Sequence, residues 1–382
     1  EPAAREDAML VAFARQREPG LQKISEADMG YWREQYRRAK FDFDSQSVRP
    51  YFPYAKVERG VIDAASKLFH LEIRAVPGVR TWHPSVTTYD VYQNGAKLGR
   101  IYLDMHPREG KDKWFSTQPL APGMHGRQLP EGVLVCNFPG GTDGDPGLMQ
   151  YSDVVIFFHE FGHLMHHVIG GQVSWSGAGA FGVERDFIEA PSQMLEEFFH
   201  DYGVLSGFAR HYQTGEVLPR ELYARMNRAD AYGRASAQQR QLTFAAVSLD
   251  FHSLPPATLD FDAVYRRDFD RYNSFAFVPG DHFWASFTHL NGYSSNYYGY
   301  VLAKVIAEDF FAQFDSRNLL GGAAGMRYER SVLAPGSTAS AAQLARDFLG
   351  REPNLDAYRR WMLAEFESAP ATSGTSPSSS AR

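Results

Sequence analysis

The sequence predicts a mainly α-helical chain with one small β-sheet, and three observations carry that reading. An apolar run with helical periodicity surrounds His159-Glu160-Phe161-Gly162-His163. Short alternating runs bounded by turn residues fill the stretch from Leu71 to Phe138, and helical patterning returns after Phe199. No segment repeats at a fixed period, which excludes a solenoid or propeller.

Residues 1 to about 75 read as charged helices, one of them opened by Glu26-Ala27-Asp28 and carrying Tyr31 to Tyr36. The β-rich region, about 71–138, contains the runs Thr87 to Tyr92 and Arg100 to Asp104, with Asn94-Gly95 between them as a tight-hairpin signal. Cys136, inside the apolar run Val133 to Phe138, reads as a buried strand residue. The next helix is predicted at about 152–169, led in by Val154 to Phe158 and stopped by Gly170-Gly171. A glycine-rich connection, Gly170 to Gly182, leads to a second helix over Asp186 to Phe199, whose Pro191 suits a first turn. Loops fall around Pro255-Pro256 and Pro279-Gly280, and helices are predicted over Val301 to Phe314 and Ser340 to Leu349. Residues 1–368 are thus expected to form one domain. Residues 369–382 offer little apolar surface against the entropy of ordering and are predicted to be a disordered tail.

With 382 residues, 44% of them hydrophobic, the chain can bury a sizeable core. Its net charge of −6 is not that of a nucleic-acid binder. No run of eighteen apolar residues supports a membrane span, and the first residues do not read as a secretory leader. The single cysteine excludes an internal disulfide framework and directs any metal site towards nitrogen and oxygen ligands.

His159 and His163 stand four residues apart on the predicted helix, so their imidazoles share one face at about 5–6 Å between Cβ atoms. Two rings so placed can reach one tetrahedral ion, and Glu160 stands beside them as a general base towards water. His166 and His167 lie about 10–12 Å along the axis from His159, too far to share that ion, and read as packing or hydrogen-bonding residues. Glu189, near the start of the second helix, is the best third ligand, although acids also favour first turns through the helix dipole. Glu196, seven residues on, is either a partner behind a ligand or simply solvated. Further on, Tyr293, Tyr297 and Tyr300 are spaced to share one helical face. They form either an aromatic core stripe or a set of neutral donors for an oxyanion.

The strings from His159 to His166 and from Asp186 to Glu196 resemble those of the thimet oligopeptidase and oligopeptidase A family of zinc peptidases, which includes dipeptidyl carboxypeptidase. The likeness extends to Trp82-His83, Asp104 to Lys111, Cys136-Asn137-Phe138, Phe287 to Tyr300 and Phe348 to Asn354, covering about Asp28 to Glu367 in order. It implies a zincin-like catalytic lobe that binds one Zn2+ through His159, His163 and Glu189, with Glu160 as catalytic base and Glu196 behind the ligands. It further implies that His289, Tyr293 and Tyr300 contact the substrate and stabilise a tetrahedral intermediate, with Tyr297 as a substrate-binding residue. A sheet edge is expected to pair with the substrate backbone. The expected protein is a metalloendopeptidase acting on oligopeptides, a cytoplasmic or periplasmic monomer without nucleic-acid or membrane partners.

Three departures stand beside the likeness. His289-Leu290-Asn291-Gly292-Tyr293 is one residue shorter than the family's usual string, which implies a stiffer loop. The spacing from His163 to Glu189 is about one residue longer than in mammalian members. The chain is also much shorter than typical members and lacks their N-terminal helical lobe, so it is expected to be either a fragment or a short form with a more open cleft. The alternative function is a truncated zinc- and peptide-binding module with little turnover.

Overall fold

The charged N-terminal sequence folds as three helices, α1 (Pro2–Arg15), α2 (Glu26–Phe41) and α3 (Tyr54–Leu68), in a computed structural model. The structure describes residues 1–140, 142, 144–321 and 323–367. Ser25 caps α2 by accepting the Asp28 backbone N–H. Val57, Val61, Ala64, Ala65 and Leu68 form one buried face of α3. The helical stretch ends at Leu68 rather than near residue 75, because His70 takes a left-handed φ of 50° and the chain then enters a strand.

Five strands follow: β1 (Glu72–Ala75), β2 (Thr87–Gln93), β3 (Ala96–Asp104), β4 (Ser116–Ala121) and β5 (Glu131–Val135). Asn94 and Gly95 both have positive φ, 51° and 81°, as a two-residue hairpin turn between β2 and β3 requires. The order in the sheet is β1-β2-β3-β5-β4, antiparallel except for the β3–β5 pair. The strand added last in this order, β4, is therefore an edge. Cys136 is buried one residue past β5, where its N–H donates to the Asp104 carbonyl.

The predicted central helix is α4 (Tyr151–Ile169), closed at Gly170. Phe157, Phe158, Phe161, Leu164, Met165 and Val168 are buried around most of its circumference. Gly132 lets β5 lie close beneath it, since a Cβ there would come within 2.8 Å of Leu164 and 3.0 Å of His167. Next come α5 (Ala190–Glu196), α6 (Tyr202–Phe208), α7 (Arg220–Ala231), α8 (Arg234–Ser253) and α9 (Phe261–Tyr272). The chain then forms α10 (His289–Gly292), α11 (Gly299–Phe311), α12 (Ala323–Tyr328), α13 (Ala341–Leu349) and α14 (Asp356–Glu367).

The second predicted helix is shorter than expected. Asp186 to Glu189 form a turn, α5 runs for seven residues, and a 3-10 segment, Glu197–His200, completes the stretch. Pro191 has no N–H to continue a helix on its N-terminal side, and Glu189 becomes the N-cap. The aromatic block departs further from expectation, because Ser294 takes a φ of 49° between α10 and α11. Tyr293, Tyr297 and Tyr300 therefore do not share one helical face.

One hydrophobic cluster joins α3, the sheet, α4, α5, α11 and α13, while Leu10, Phe13, Trp32 and Tyr36 form a smaller one between α1 and α2. The predicted tail, 369–382, lies outside the described residues. Among the described residues no helix is long and apolar enough to cross a membrane.

Candidate metal centre and active site

Gly162 sets the approach of α4 and α5, because its missing side chain leaves room for Ser192 and the Pro191 carbonyl. Across this contact Glu189 turns its carboxylate towards α4. Glu189 Oε2 lies 3.2 Å from His159 Nε2 and 3.1 Å from His163 Nε2, and the two imidazole rings are 5.0 Å apart. Ligand atoms at tetrahedral corners about 2.0–2.1 Å from a zinc ion are about 3.3 Å from one another, so this set fits one ion. His159 Nδ1 donates to Glu196 Oε1 at 2.5 Å, which leaves Nε2 as the nitrogen that faces Glu189 and a metal ion.

Charge complementarity holds the same residues together. Burial pulls the His159 imidazolium down, but hydrogen bonds to Glu189 and Glu196 outweigh it and hold its pKa well above the usual value. Burial likewise disfavours the Glu189 carboxylate, yet His163 and His159 keep its pKa well below the normal range. A metal ion bound there would displace the proton held between His159 and Glu189, because a ligating imidazole must be neutral.

Glu160 is buried beneath the edge strand. The Thr117 hydroxyl lies 2.8 Å from the Glu160 carbonyl and 3.0 Å from its Oε2, so strand and carboxylate are held in register. Two turns on, His167 Nε2 is 3.1 Å from the Glu131 carbonyl and 3.2 Å from that of Ala121, which ties α4 to both β5 and β4. His166 is enclosed and held neutral, its pKa lowered to about 3 by burial. Neither of these two histidines reaches the metal-ligand set. Several resembling blocks are structural: Asp104 accepts from Trp82 and Arg108, and Lys111 Nζ reaches the carbonyls of Asp104, His106 and Cys136.

A cavity of about 450 Å³ opens over the triad, walled by β4 from Ser116 to Pro119 on one side and by His289, Tyr293 and Tyr300 on another. A second cavity of about 340 Å³ shares Trp114, His159, Glu160 and Tyr300 with it and extends to Gln193, Gln238 and Gln241. The aromatic rings converge although their backbone is irregular: Tyr300 lies 5.1 Å from Tyr293, 4.8 Å from Tyr297 and 5.7 Å from His289. Burial and the Glu189 charge raise the Tyr293 and Tyr300 pKa values far above the ordinary phenol, so both are neutral donors. Burial lowers that of His289.

The Tyr293 hydroxyl donates to Glu189 Oε1 and so steadies the carboxylate of the triad. Tyr297 is buried against Phe244 and Phe287, and its hydroxyl donates to Gln241 Oε1 at 2.9 Å. Sequence reasoning missed Trp114, Thr117, Arg185 and the three glutamines. Arg185 stands immediately before the string Asp186 to Glu196, four residues before Glu189, whereas the others are joined to the site by tertiary contact and carry no local signal.

The fold, mainly helical with one small five-stranded sheet, is of the zincin-like type. A sequence model described as Peptidase family M3 matches residues 2–363, and the chain belongs to that family. Oligopeptidase A of Salmonella typhimurium is 30% identical over 371 residues, which cover 92% of this chain and 53% of that protein. Dipeptidyl carboxypeptidase of Escherichia coli is 29% identical over 340 residues, covering 86% and 49%. Saccharolysin of Saccharomyces cerevisiae is 30% identical over 349 residues, covering 87% and 49%. The chain spans about half the length of these curated relatives. Among solved structures, PZ peptidase A with inhibitor 2 aligns at a TM-score of 0.52 and 14% identity, over 69% of this chain and 42% of that one. The structure described as BsuCP aligns at 0.50 and 12% identity, over 95% and 69%. Likeness at these identities concerns the fold alone.

Proposed function

We propose that this chain is a zinc-dependent peptidase that hydrolyses peptide bonds in oligopeptides, with Glu160 as general base. The observation that carries the reading is the convergence of His159, His163 and Glu189, whose ligand atoms all lie within 4.8 Å of one another beside Glu160. These three residues would hold the ion. When bound, zinc supplies a Lewis acid that polarises a carbonyl and lowers the pKa of water.

The remaining chemistry belongs to side chains of this chain. Glu160 takes a proton from the attacking water and delivers it to the leaving amine. Tyr300 and His289, which line the same cavity, would donate to the oxygen on which negative charge develops. Tyr293 and Glu196 orient Glu189 and His159 respectively, which preserves the spacing of the ligand atoms. The edge strand offers main-chain groups to a substrate backbone, a mode of recognition that is indifferent to side chains. A cytoplasmic, monomeric protein is part of the same proposal and rests on the family resemblance.

The test combines zinc stoichiometry by elemental analysis with cleavage of an internally quenched short peptide. One zinc per chain and chelator-sensitive turnover are expected. Stoichiometric zinc without turnover would instead favour a zinc- and peptide-binding module.

A further inference from the structure

We propose that Arg185 is a specificity-determining residue that anchors the C-terminal carboxylate of the bound peptide, an inference that rests on the peptidase reading above. Arg185 lines the cavity that contains His159, Glu160 and His163. Its guanidinium carbon lies 5.7 Å from the centre of the Tyr293 ring, and the hydroxyl of that ring reaches Glu189. One phenol therefore separates the guanidinium from the ligand triad.

The neighbouring acids are engaged elsewhere. Glu184 accepts the Ala341 N–H at 3.0 Å, at the start of α13, and Asp186 Oδ2 accepts the Tyr298 hydroxyl at 3.0 Å. Glu189 faces the two imidazoles. Among the described residues no carboxylate pairs with Arg185. Its backbone is nevertheless fixed, because Gly299 lets α11 press against it: a Cβ there would lie 3.1 Å from the Arg185 carbonyl and 3.0 Å from the Asp186 Cα. The guanidinium is thus an unpaired cation presented from a rigid base.

The charges in the cleft give it a direction. Glu160 and Glu189 are the acids lining this cavity, and Arg185 is the lysine or arginine among its lining residues. A terminal carboxylate is repelled by the acids and matched by the planar fork of a guanidinium, whereas a terminal ammonium is not. The arrangement selects peptides whose chain ends within the cavity, close to the cleaved bond. An acidic side chain at that place presents the same chemical group, so the two sources must be separated.

Three quenched peptides of one sequence serve as probes: the free C-terminal acid, its amide, and the amide with glutamate as last residue. KM and kcat are measured on zinc-loaded wild type, Arg185→Gln and Arg185→Lys. Dissociation constants are measured by fluorescence anisotropy on Glu160→Gln and on Glu160→Gln/Arg185→Gln, with melting temperatures as a check on folding. The expected result is a preference for the acid over both amides of about tenfold to a hundredfold, in KM and in Kd. It falls to near unity in Arg185→Gln and is partly kept in Arg185→Lys. Equal binding of acid and amide by folded wild type, or a preference that survives in Arg185→Gln, overturns the assignment. A glutamate amide that matches the free acid overturns the terminal source in favour of an acidic side chain. Discrimination in Kd without any cleavage would keep the anchor and sink the peptidase reading.

Discussion

Gly162 meets Ser192 backbone to backbone, and a Cβ built on Gly162 would stand 2.8 Å from the Ser192 Cα. This contact between α4 and α5 holds Glu189 across from His159 and His163. Alanine at an exposed helix position would gain about 1 kcal/mol over glycine. Here Gly162→Ala should instead cost about 1–3 kcal/mol through overpacking and loosen zinc by tenfold or more. Thermal melting together with zinc competition against a chelator checks this, and an unchanged zinc affinity would show that the glycine does not govern the spacing.

Glu160→Gln should retain one zinc per chain while peptide hydrolysis falls by several orders of magnitude, because the base is lost and the ligand set is intact. Near-normal turnover in that variant would refute the assigned base.

Glu189→Ala should lose zinc more readily than Glu196→Ala, since Glu189 stands between both imidazoles and Glu196 acts only through His159 Nδ1. Dialysis followed by elemental analysis distinguishes them, and equal retention by wild type and Glu189→Ala would remove Glu189 from the ligand set.

Tyr300→Phe should lower kcat and kcat/KM together by about ten- to a thousandfold with KM and zinc content nearly unchanged, if the phenol acts only in the transition state. A lower melting temperature with unchanged single-turnover chemistry would assign Tyr300 to packing.

A buried cluster of charges adjoins the site, where Lys304 Nζ is 2.5 Å from Glu197 and 3.0 Å from Glu308, with Glu196 at 3.9 Å. Burial and the nearby Glu197 charge raise the Glu308 pKa to about 8, against the opposing pull of Lys304. Between the ordinary carboxylate range and pH 8 the folded state therefore holds a proton that the unfolded state has released. Stability should decline as pH rises through that window, and the loss should be complete above about pH 8. Glu308→Gln should flatten the decline in melting temperature between pH 5 and 9. An identical pH profile in wild type and variant would rule out Glu308 as its source.

The helix carrying His159, Glu160 and His163 was legible because two imidazoles, an apolar face and a glycine stop all agree locally. The hairpin at Asn94-Gly95 was legible for a similar reason, since few residue pairs accept two positive φ angles. Glu189 was identifiable by type, but its role as an N-cap follows from Pro191 and from packing against Gly162, which sequence spacing does not encode. Helical spacing misled at the tyrosines because Ser294 turns the chain, and the rings meet by tertiary folding instead. The wall formed by β4 was hidden because its strand order depends on a parallel β3–β5 pairing far from the motif.

The edge strand carries its own limit on partners. Pro119 lacks an N–H, and the β4–β5 register shifts between Pro119 and Ala121. An uninterrupted edge would recruit a strand from another folded copy as readily as it would a short peptide. The proline divides β4 into a usable stretch of three residues, Ser116 to Gln118, and a second part out of step with it. On the proposed reading that stretch would pair with a short peptide beside Glu160, and it offers too few main-chain groups for the long, uninterrupted pairing that strand-by-strand association between folded copies requires.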